Sequence, residues 1–156
     1  MSVSSSRSSW ILFLSLFALL PGVALASNQA VTKKITIPEE DRFVPYALTI
    51  HVGDSVEWVN MDEDDHKILS VDAWTTADHK GLVHVLPGLD NNGGKPGTFT
   101  LKFAVPGRFV YRCAFHSHMD SDHQPVAPGP KGGIKDDKGN YGTPMTSVIS
   151  VLPVGQ

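Results

Sequence analysis

Residues 109–119 read Phe-Val-Tyr-Arg-Cys-Ala-Phe-His-Ser-His-Met and form the most informative segment of the chain. In its first half, Phe109, Tyr111 and Cys113 alternate with smaller or polar residues and fall on one face of a predicted β-strand. The second half breaks this alternation and brings a thiol, an imidazole and a thioether within seven residues. Thiolate and thioether sulfur favour Cu(I), whereas imidazole also accepts Cu(II). The segment therefore predicts a strand that runs into a copper-binding loop.

The chain has a single cysteine, Cys113, among its 156 residues. Exported proteins usually pair their cysteines in disulfides, so a lone cysteine requires another explanation. The alternatives are a buried apolar residue, a dimerising thiol and a metal ligand, and the histidine and methionine neighbours favour the metal ligand. One thiol also excludes an intramolecular site with two thiolate ligands.

Residues 1–26 have the pattern of a secretory signal peptide. Arg7 precedes an apolar run at residues 10–20, and an Ala-x-Ala cleavage site follows at residues 24–26. The run is shorter than the roughly 20 apolar residues that a membrane-spanning helix needs. We therefore expect a periplasmic or secreted protein in which residues 27–156 form one mature domain, with no membrane span after cleavage.

The composition argues against several classes of function. The chain carries 13 basic and 16 acidic residues, a net charge of −3, and no basic run. Nucleic-acid binding depends on neutralising phosphates with lysine and arginine, so we expect no nucleic-acid partner. No Ser-His-Asp spacing and no pair of catalytic carboxylates is recognisable, which favours a protein that is not an enzyme.

Alternating apolar residues separated by turn signals predict an all-β fold. Strands are expected at residues 31–37, 48–52, 55–59, 66–71, 82–85, 98–103, 109–113 and 146–152. Seven or eight short strands without a convincing amphipathic helix favour a β-sandwich of two sheets. Residues 72–97 have poor periodicity and are expected to form a surface excursion around the short strand at 82–85. Residues 120–145, rich in Gly, Pro, Asp and Lys, are expected to form a long loop insertion before the last strand.

The order of motifs resembles that of the small cupredoxins, particularly the amicyanin and plastocyanin group of blue copper proteins. The resemblance covers most of the mature chain and is carried by Phe43-x-Pro45, Val52-Gly53-Asp54-x-Val56-x-Trp58-x-Asn60-x-Asp62 followed by His66, Phe99-x₃-Phe103, and Pro106-Gly107-x-Phe109-x-Tyr111-x-Cys113-x₂-His116-x₂-Met119. It implies a cupredoxin-like Greek-key β-sandwich that holds one type 1 copper ion per chain.

The same resemblance implies a ligand set of His66, Cys113, His116 and Met119. Met145 is a second candidate for the weak axial position, because the family's axial methionine usually runs directly into the last strand. Met119 is preferred, because His-Ser-His-Met reproduces a compact loop of the family without a gap.

Two features are not explained by the resemblance. The residue after the first histidine is often an Asn, Ser or Thr that ties the two ligand segments together, and Lys67 cannot accept such a bond with its side chain. His118 and His123 lie beside Asp120 and Asp122 in the insertion, so a second, weaker metal site is a further hypothesis.

The resemblance implies a monomeric carrier that moves single electrons between redox protein partners. Electrons would pass through the exposed edge of His116, with Pro45 and Phe115 on the docking surface. The acidic residues 62–65 are either a solvated loop or a surface that steers a basic partner. The alternatives are a copper storage or delivery protein and an accessory cupredoxin domain that docks on a copper enzyme through residues 120–145.

Overall fold

The computed structural model describes residues 29–71 and 82–155, which form strands, turns and loops. The predicted signal peptide at residues 1–26 and the stretch 72–81, which includes His79, lie outside the described residues. Within the described ranges, no helix has the length and apolar character needed to cross a membrane.

Ten strands follow one another along the described part of the chain. They are β1 (Thr32–Ile37), β2 (Ala47–His51), β3 (Ser55–Asn60), β4 (His66–Ser70), β5 (Val83–Leu86), β6 (Gly97–Lys102), β7 (Gly107–Cys113), β8 (His118–Met119), β9 (Pro125–Val126) and β10 (Thr146–Leu152). Each of the eight predicted segments overlaps one of these strands, with bounds that differ by a few residues at most. The two short strands β8 and β9 were not expected, and they form a separate two-stranded sheet.

The long strands assemble into two sheets. One has three strands in the order β1-β3-β6, and the other has five in the order β2-β10-β7-β4-β5. The pairs β1/β3 and β2/β10 are parallel, whereas the other neighbours are antiparallel. Neighbouring strands are mostly not consecutive in the chain, because the chain crosses from one sheet to the other. The predicted all-β sandwich is therefore confirmed.

Aromatic side chains join the two sheets at the centre of the core. The indole of Trp58 on β3 meets the ring of Tyr111 on β7 edge to face, with centroids 5.7 Å apart. Phe43 packs against the same tyrosine at 4.7 Å. Trp58 and Tyr111 are both fully buried. Truncating one such aromatic residue to alanine typically costs about 3–5 kcal/mol of folding stability, so these contacts hold the two sheets in a fixed relation.

Asp54 closes the turn between β2 and β3. Its carboxylate accepts the backbone N–H groups of Val31 at 2.9 Å and His51 at 2.8 Å. These two hydrogen bonds favour the ionised form and lower the pKa of Asp54 below 3.8. The preceding Gly53 has a φ of +99°, which a residue with a Cβ rarely adopts. The carboxylate therefore links the start of β1 to this turn.

The segment 120–145 consists of tight turns and the β8–β9 hairpin. Asp120 and Asp136 each accept two backbone N–H bonds from the residues that follow them. Ile134 packs against the edge of the main core, and Arg42 donates a 2.8 Å hydrogen bond to the carbonyl of Lys135. The insertion is therefore attached to the sandwich at more than its two ends.

Candidate metal centre

Three side chains with metal-binding atoms meet beside β4 and β7. One donor atom from each of His66, Cys113 and His116 lies within 4.8 Å of the others. Nδ1 of His116 lies 3.5 Å from Sγ of Cys113, and the centroids of the two imidazole rings are 4.9 Å apart. His66 and Cys113 are fully buried, whereas the side chain of His116 is 21% exposed. The structure thus brings together three of the predicted ligands, which we call the trio.

Strand pairing explains why His66 and Cys113 meet. Ile68 on β4 lies directly opposite Cys113 on β7, so these two side chains share one face of the sheet. His66 precedes Ile68 by two residues and lies on the same face. The N–H of Ala114 donates a 2.8 Å hydrogen bond to the backbone carbonyl of Lys67. The tie between ligand segments that the Lys67 side chain cannot make is thus made by its backbone.

His116 is held by a short turn after β7. The hydroxyl of Ser117 donates to the carbonyl of Cys113 at 2.6 Å, and Nη1 of Arg112 donates to the carbonyl of Ser117 at 2.6 Å. Ser117 is buried. The N–H of Met145 donates to the carbonyl of His116 at 3.2 Å. These contacts fix the backbone on both sides of the imidazole.

A buried carboxylate orients the ring of His66. Oδ2 of Asp62 lies 3.1 Å from Nε2 of His66, and the other ring nitrogen, Nδ1, is buried without a hydrogen-bond partner. Metal-binding histidines commonly donate one ring N–H to a carboxylate and bind the metal with the other nitrogen. The unsatisfied Nδ1 is therefore the atom of His66 that is available for a metal.

The acidic loop that carries Asp62 is firmly attached to the fold. Asn60 is fully buried, donates to the carbonyl of Asp64 at 2.9 Å and accepts the N–H of Asp62 at 3.1 Å. Asp65 accepts the N–H of Gly88 at 2.8 Å. The sequence suggested that residues 62–65 form either a solvated loop or a surface that steers a basic partner. The hydrogen bonds of Asp62 and Asp65 give this loop a structural role that neither interpretation included.

A second carboxylate, from Asp41, reaches the trio and was missed by the sequence analysis. Its Oδ1 lies 3.2 Å from Nδ1 of His116 and 3.7 Å from Nε2 of His66. Partial burial raises the pKa of Asp41, and attraction to the two histidines partly offsets that effect. Asp41 precedes the Phe43-x-Pro45 motif in a turn, and no spacing pattern in the sequence links it to His66 or His116.

The trio stabilises the ionised form of the thiol. Burial alone would raise the pKa of Cys113, but interactions with His116 and His66 outweigh it and lower the pKa from 9.0 to about 6. The nearby Cys113 raises the pKa of His116, against the effect of burial and with help from Asp41. Burial disfavours the charged form of His66, yet Cys113 and the hydrogen bond to Asp62 raise its pKa. At neutral pH the sulfur is therefore largely thiolate, which is the form that binds metals.

The two candidate methionines occupy different environments. Met119 lies on β8, opposite Pro125, and is partly exposed. Met145 is fully buried, and its carbonyl accepts the N–H of Cys113 at 2.9 Å. β10 begins at Thr146, which pairs with Arg112, and continuing this register by one residue sets Met145 opposite Cys113, where strand geometry would direct both side chains to the same face. Ligation by Met119 stays a prediction, and the strand register adds an argument for Met145.

The described residues contain two clusters of three closely spaced histidine, cysteine or carboxylate donors, and neither cluster includes His118 or His123. Besides the trio, the other cluster is Asp41, Asp62 and His66. It shares His66 with the trio, but its two carboxylates face Nε2 of that ring and not Nδ1. Asp120, a proposed member of a second site, instead accepts the N–H groups of Asp122 and Gln124.

The donor set of the trio fits copper. One thiolate and two imidazoles combine a soft ligand that suits Cu(I) with ligands that suit Cu(II). The low pKa of Cys113 and the unpartnered Nδ1 of His66 mean that two donors are already prepared for a cation. A single thiolate also separates this set from the structural zinc sites that use several cysteines.

No protein-family model matches the chain. Among solved structures, a methionine-to-glutamine mutant of amicyanin in the Cu(I) state is 16% identical, with 77% of this chain and 81% of that chain covered and a TM-score of 0.48. An oxidised proline-to-alanine mutant of amicyanin is 17% identical, with 82% and 87% covered and a TM-score of 0.48. Amicyanin belongs to the group that the sequence motifs resemble. Because this similarity is distant, the evidence for the function has to come from the chain's own side chains.

Proposed function

We propose that this protein binds one copper ion through His66, Cys113 and His116 and carries single electrons between redox proteins outside the cytoplasm. The observation that carries the proposal is geometric: the buried Sγ of Cys113 lies 3.5 Å from Nδ1 of His116, and donor atoms of His66, Cys113 and His116 all lie within 4.8 Å of one another. A buried charge is costly unless it is paired, so a fully buried thiolate requires a nearby cation. Cu(I) or Cu(II) provides that cation with the matching ligand preference.

The protein's contribution is to keep the donors in one arrangement. Bound copper supplies a couple between Cu(I) and Cu(II), which exchanges one electron. His66 and Cys113 are on or next to hydrogen-bonded strands, and Ser117 fixes the turn that leads to His116. Because these donors are anchored in a packed sandwich, they would shift little between the two oxidation states of a bound copper ion. Small rearrangement favours fast electron transfer.

A methionine would add a thioether sulfur to the proposed donor set. The sequence favoured Met119, whereas the register of β10 against β7 favours Met145, whose side chain shares a face with Cys113. We propose Met145 for this position and retain Met119 as the alternative for experiment. With four protein donors, the site lacks the open coordination position of catalytic metal sites, so we propose a carrier and not an enzyme.

The route for electrons runs through His116. It is the member of the trio whose side chain reaches the surface, at 21% exposure. Phe115 beside it is 50% exposed, and Pro45 is also exposed. Weak, small interfaces suit redox encounters because the partners must separate quickly. We propose that a redox protein docks on this apolar surface and that the carrier acts as a monomer.

The test is a redox titration of the chain loaded with one equivalent of copper. We expect reversible uptake of one electron per copper ion over repeated cycles, with the metal retained throughout. A matched pair of variants, His116→Gly and His123→Gly, separates the proposed site from a remote exposed histidine. We expect His116→Gly to weaken copper retention and His123→Gly to leave it unchanged. Loss of copper upon reduction would instead favour a storage or delivery protein.

A further inference from the structure

Residues 86–90, which end β5 and follow it, lie against the loop that carries Asp62, and we call them the 86–90 segment. Three consecutive N–H groups of this segment donate to the loop: Gly88 to Oδ1 of Asp65 at 2.8 Å, Leu89 to the carbonyl of Asp62 at 2.9 Å, and Asp90 to the carbonyl of Glu63 at 3.3 Å. The two stretches of chain are therefore joined along their backbones, although they are more than 20 residues apart in the sequence.

The approach at Gly88 leaves no room for a side chain. A Cβ at this position would overlap the backbone carbonyl groups of Glu63 and Asp64, well inside the 3.0 Å that Cβ atoms keep from other heavy atoms. Gly88 does not have a left-handed φ, so the close approach, and not the backbone angle, requires glycine here. Because the obstacle is backbone, no side-chain rotation relieves the overlap.

The 86–90 segment is also held from behind, so it has little freedom to retreat from the loop. A Cβ at Gly97 would overlap the carbonyl oxygen of Pro87. Leu86 is fully buried in the core, and Nδ2 of Asn60 donates to the carbonyls of Leu86 and Pro87 at 3.2 Å each. Closely packed interiors transmit strain, so added volume at Gly88 displaces the loop.

This loop places the carboxylate that contacts His66. The N–H of Asp62 donates to Oδ1 of Asn60 at 3.1 Å, and its carbonyl accepts the N–H of Leu89. Its Oδ2 lies 3.1 Å from Nε2 of His66, and both side chains are buried. A displacement of the loop therefore moves the carboxylate relative to the imidazole ring.

We propose that Gly88 is a positioning residue for the metal site. By letting the 86–90 segment lie directly on the loop, it sets the place of Asp62 and, through Asp62, the orientation of His66. This inference rests on the proposed copper site and adds a determinant of its geometry that lies outside the ligand motifs. Binding sites tolerate displacements of only about 0.5 Å, and losing a group that orients a metal-binding histidine usually costs roughly 10–100-fold in affinity.

The experiment compares Gly88→Ala with Gly129→Ala in the full chain. Gly129 also lacks a left-handed φ, and an added Cβ there has no heavy atom within 4 Å apart from its chain neighbours. A further variant, Asp65→Ala, removes the acceptor of the Gly88 N–H without adding volume. Copper affinity is measured by competition with a chelator, and the Cu(II) site by electron paramagnetic resonance. Thermal unfolding and crystal structures are obtained for the metal-free proteins.

We expect Gly88→Ala to lower copper affinity roughly 10–100-fold and to alter the Cu(II) spectrum, whereas Gly129→Ala changes neither. Asp65→Ala is expected to lower the affinity by a smaller factor. A folded Gly88→Ala protein with wild-type affinity and spectrum overturns the inference, because a residue that only stabilises the fold changes the unfolding temperature alone. If Gly88→Ala does not fold, Asp65→Ala decides: a lowered affinity supports the inference, and wild-type affinity overturns it.

The metal-free crystal structures separate this inference from the proposed function. A wild-type chain that binds no copper through Cys113 overturns the proposed function. The positioning role is then decided by the contact between Asp62 and His66, which we expect to be lost in Gly88→Ala and kept in Gly129→Ala. The same contact in both variants overturns the role of Gly88.

Discussion

Oδ2 of Asp62 lies 3.1 Å from Nε2 of His66, and both side chains are buried. This contact determines which nitrogen of His66 is free, because a ring nitrogen that donates to a carboxylate cannot also bind a metal. Asn60 positions the loop by accepting the N–H of Asp62. A metal ligand, its carboxylate partner and the loop that carries the partner thus form one hydrogen-bonded unit.

We predict that Asp62→Ala lowers copper affinity by roughly 10–100-fold, the usual effect of losing a carboxylate that orients a metal-binding histidine. Without Asp62 the His66 ring loses its fixed orientation and its preferred tautomer. Competition with a chelator of known copper affinity measures the change. The matched control is Glu63→Ala, which removes an exposed carboxylate from the same loop. Equal affinities in the two variants would contradict the role of Asp62.

The two methionines are distinguished by a pair of leucine substitutions. Met145→Leu is predicted to change the visible and paramagnetic-resonance spectra of the copper-loaded protein, because Met145 shares a face with Cys113. Met119→Leu is predicted to leave them unchanged. Leucine has a similar volume, so each substitution removes the sulfur with limited disturbance of packing. A spectral change in Met119→Leu and none in Met145→Leu would identify Met119 as the ligand instead.

The thiol of the metal-free protein is predicted to titrate near pH 6, well below its ordinary value of 9.0. The ultraviolet absorbance of the thiolate, measured as wild type minus Cys113→Ser, reports this transition. Because the native pKa is the lower one, the unfolded state binds more protons between pH 6 and pH 9. The stabilisation from the thiolate is therefore fully present above pH 9.0 and is lost as the pH falls through about 6. A midpoint above pH 8 would contradict the interaction with His116 and His66.

Asp54 provides a test of the fold away from the metal site. Asp54→Asn is predicted to lower the free energy of unfolding at pH 7 by about 1.5–3 kcal/mol, since one of the two hydrogen bonds is lost and the other is no longer made to a charged group. The native pKa is depressed, so this contribution is present above pH 3.8 and disappears as the pH falls through the lower native value. Denaturant unfolding at several pH values measures it. Asp137→Asn, at an exposed position, is the control and is expected to change stability little.

The trio could be anticipated because its signals are local. Cys113 and His116 are close in sequence, and the alternation that ends at Cys113 indicates which face it occupies. To predict that His66 joins them, it was enough to expect its strand beside the strand of Cys113. In the structure these two strands, β4 and β7, are paired. The resemblance to the cupredoxins supplied that neighbour relation.

The two carboxylates could not be anticipated in the same way. Asp62 is one of four consecutive acidic residues, and composition does not tell a buried member of such a run from its exposed neighbours. Asp41 approaches His116 through a left-handed backbone angle and the packing of Phe43, neither of which has a sequence period. The choice between the methionines depended on the register of β10, which the insertion before it obscured.

The most direct test of the central claim is the visible absorption spectrum of the chain loaded with one equivalent of Cu(II), recorded beside that of Cys113→Ser. The account predicts an intense thiolate-to-copper charge-transfer band in the wild-type protein and its absence in the variant, because Cys113 is the chain's only thiol. A colourless wild-type protein, or a band that survives in Cys113→Ser, would contradict it.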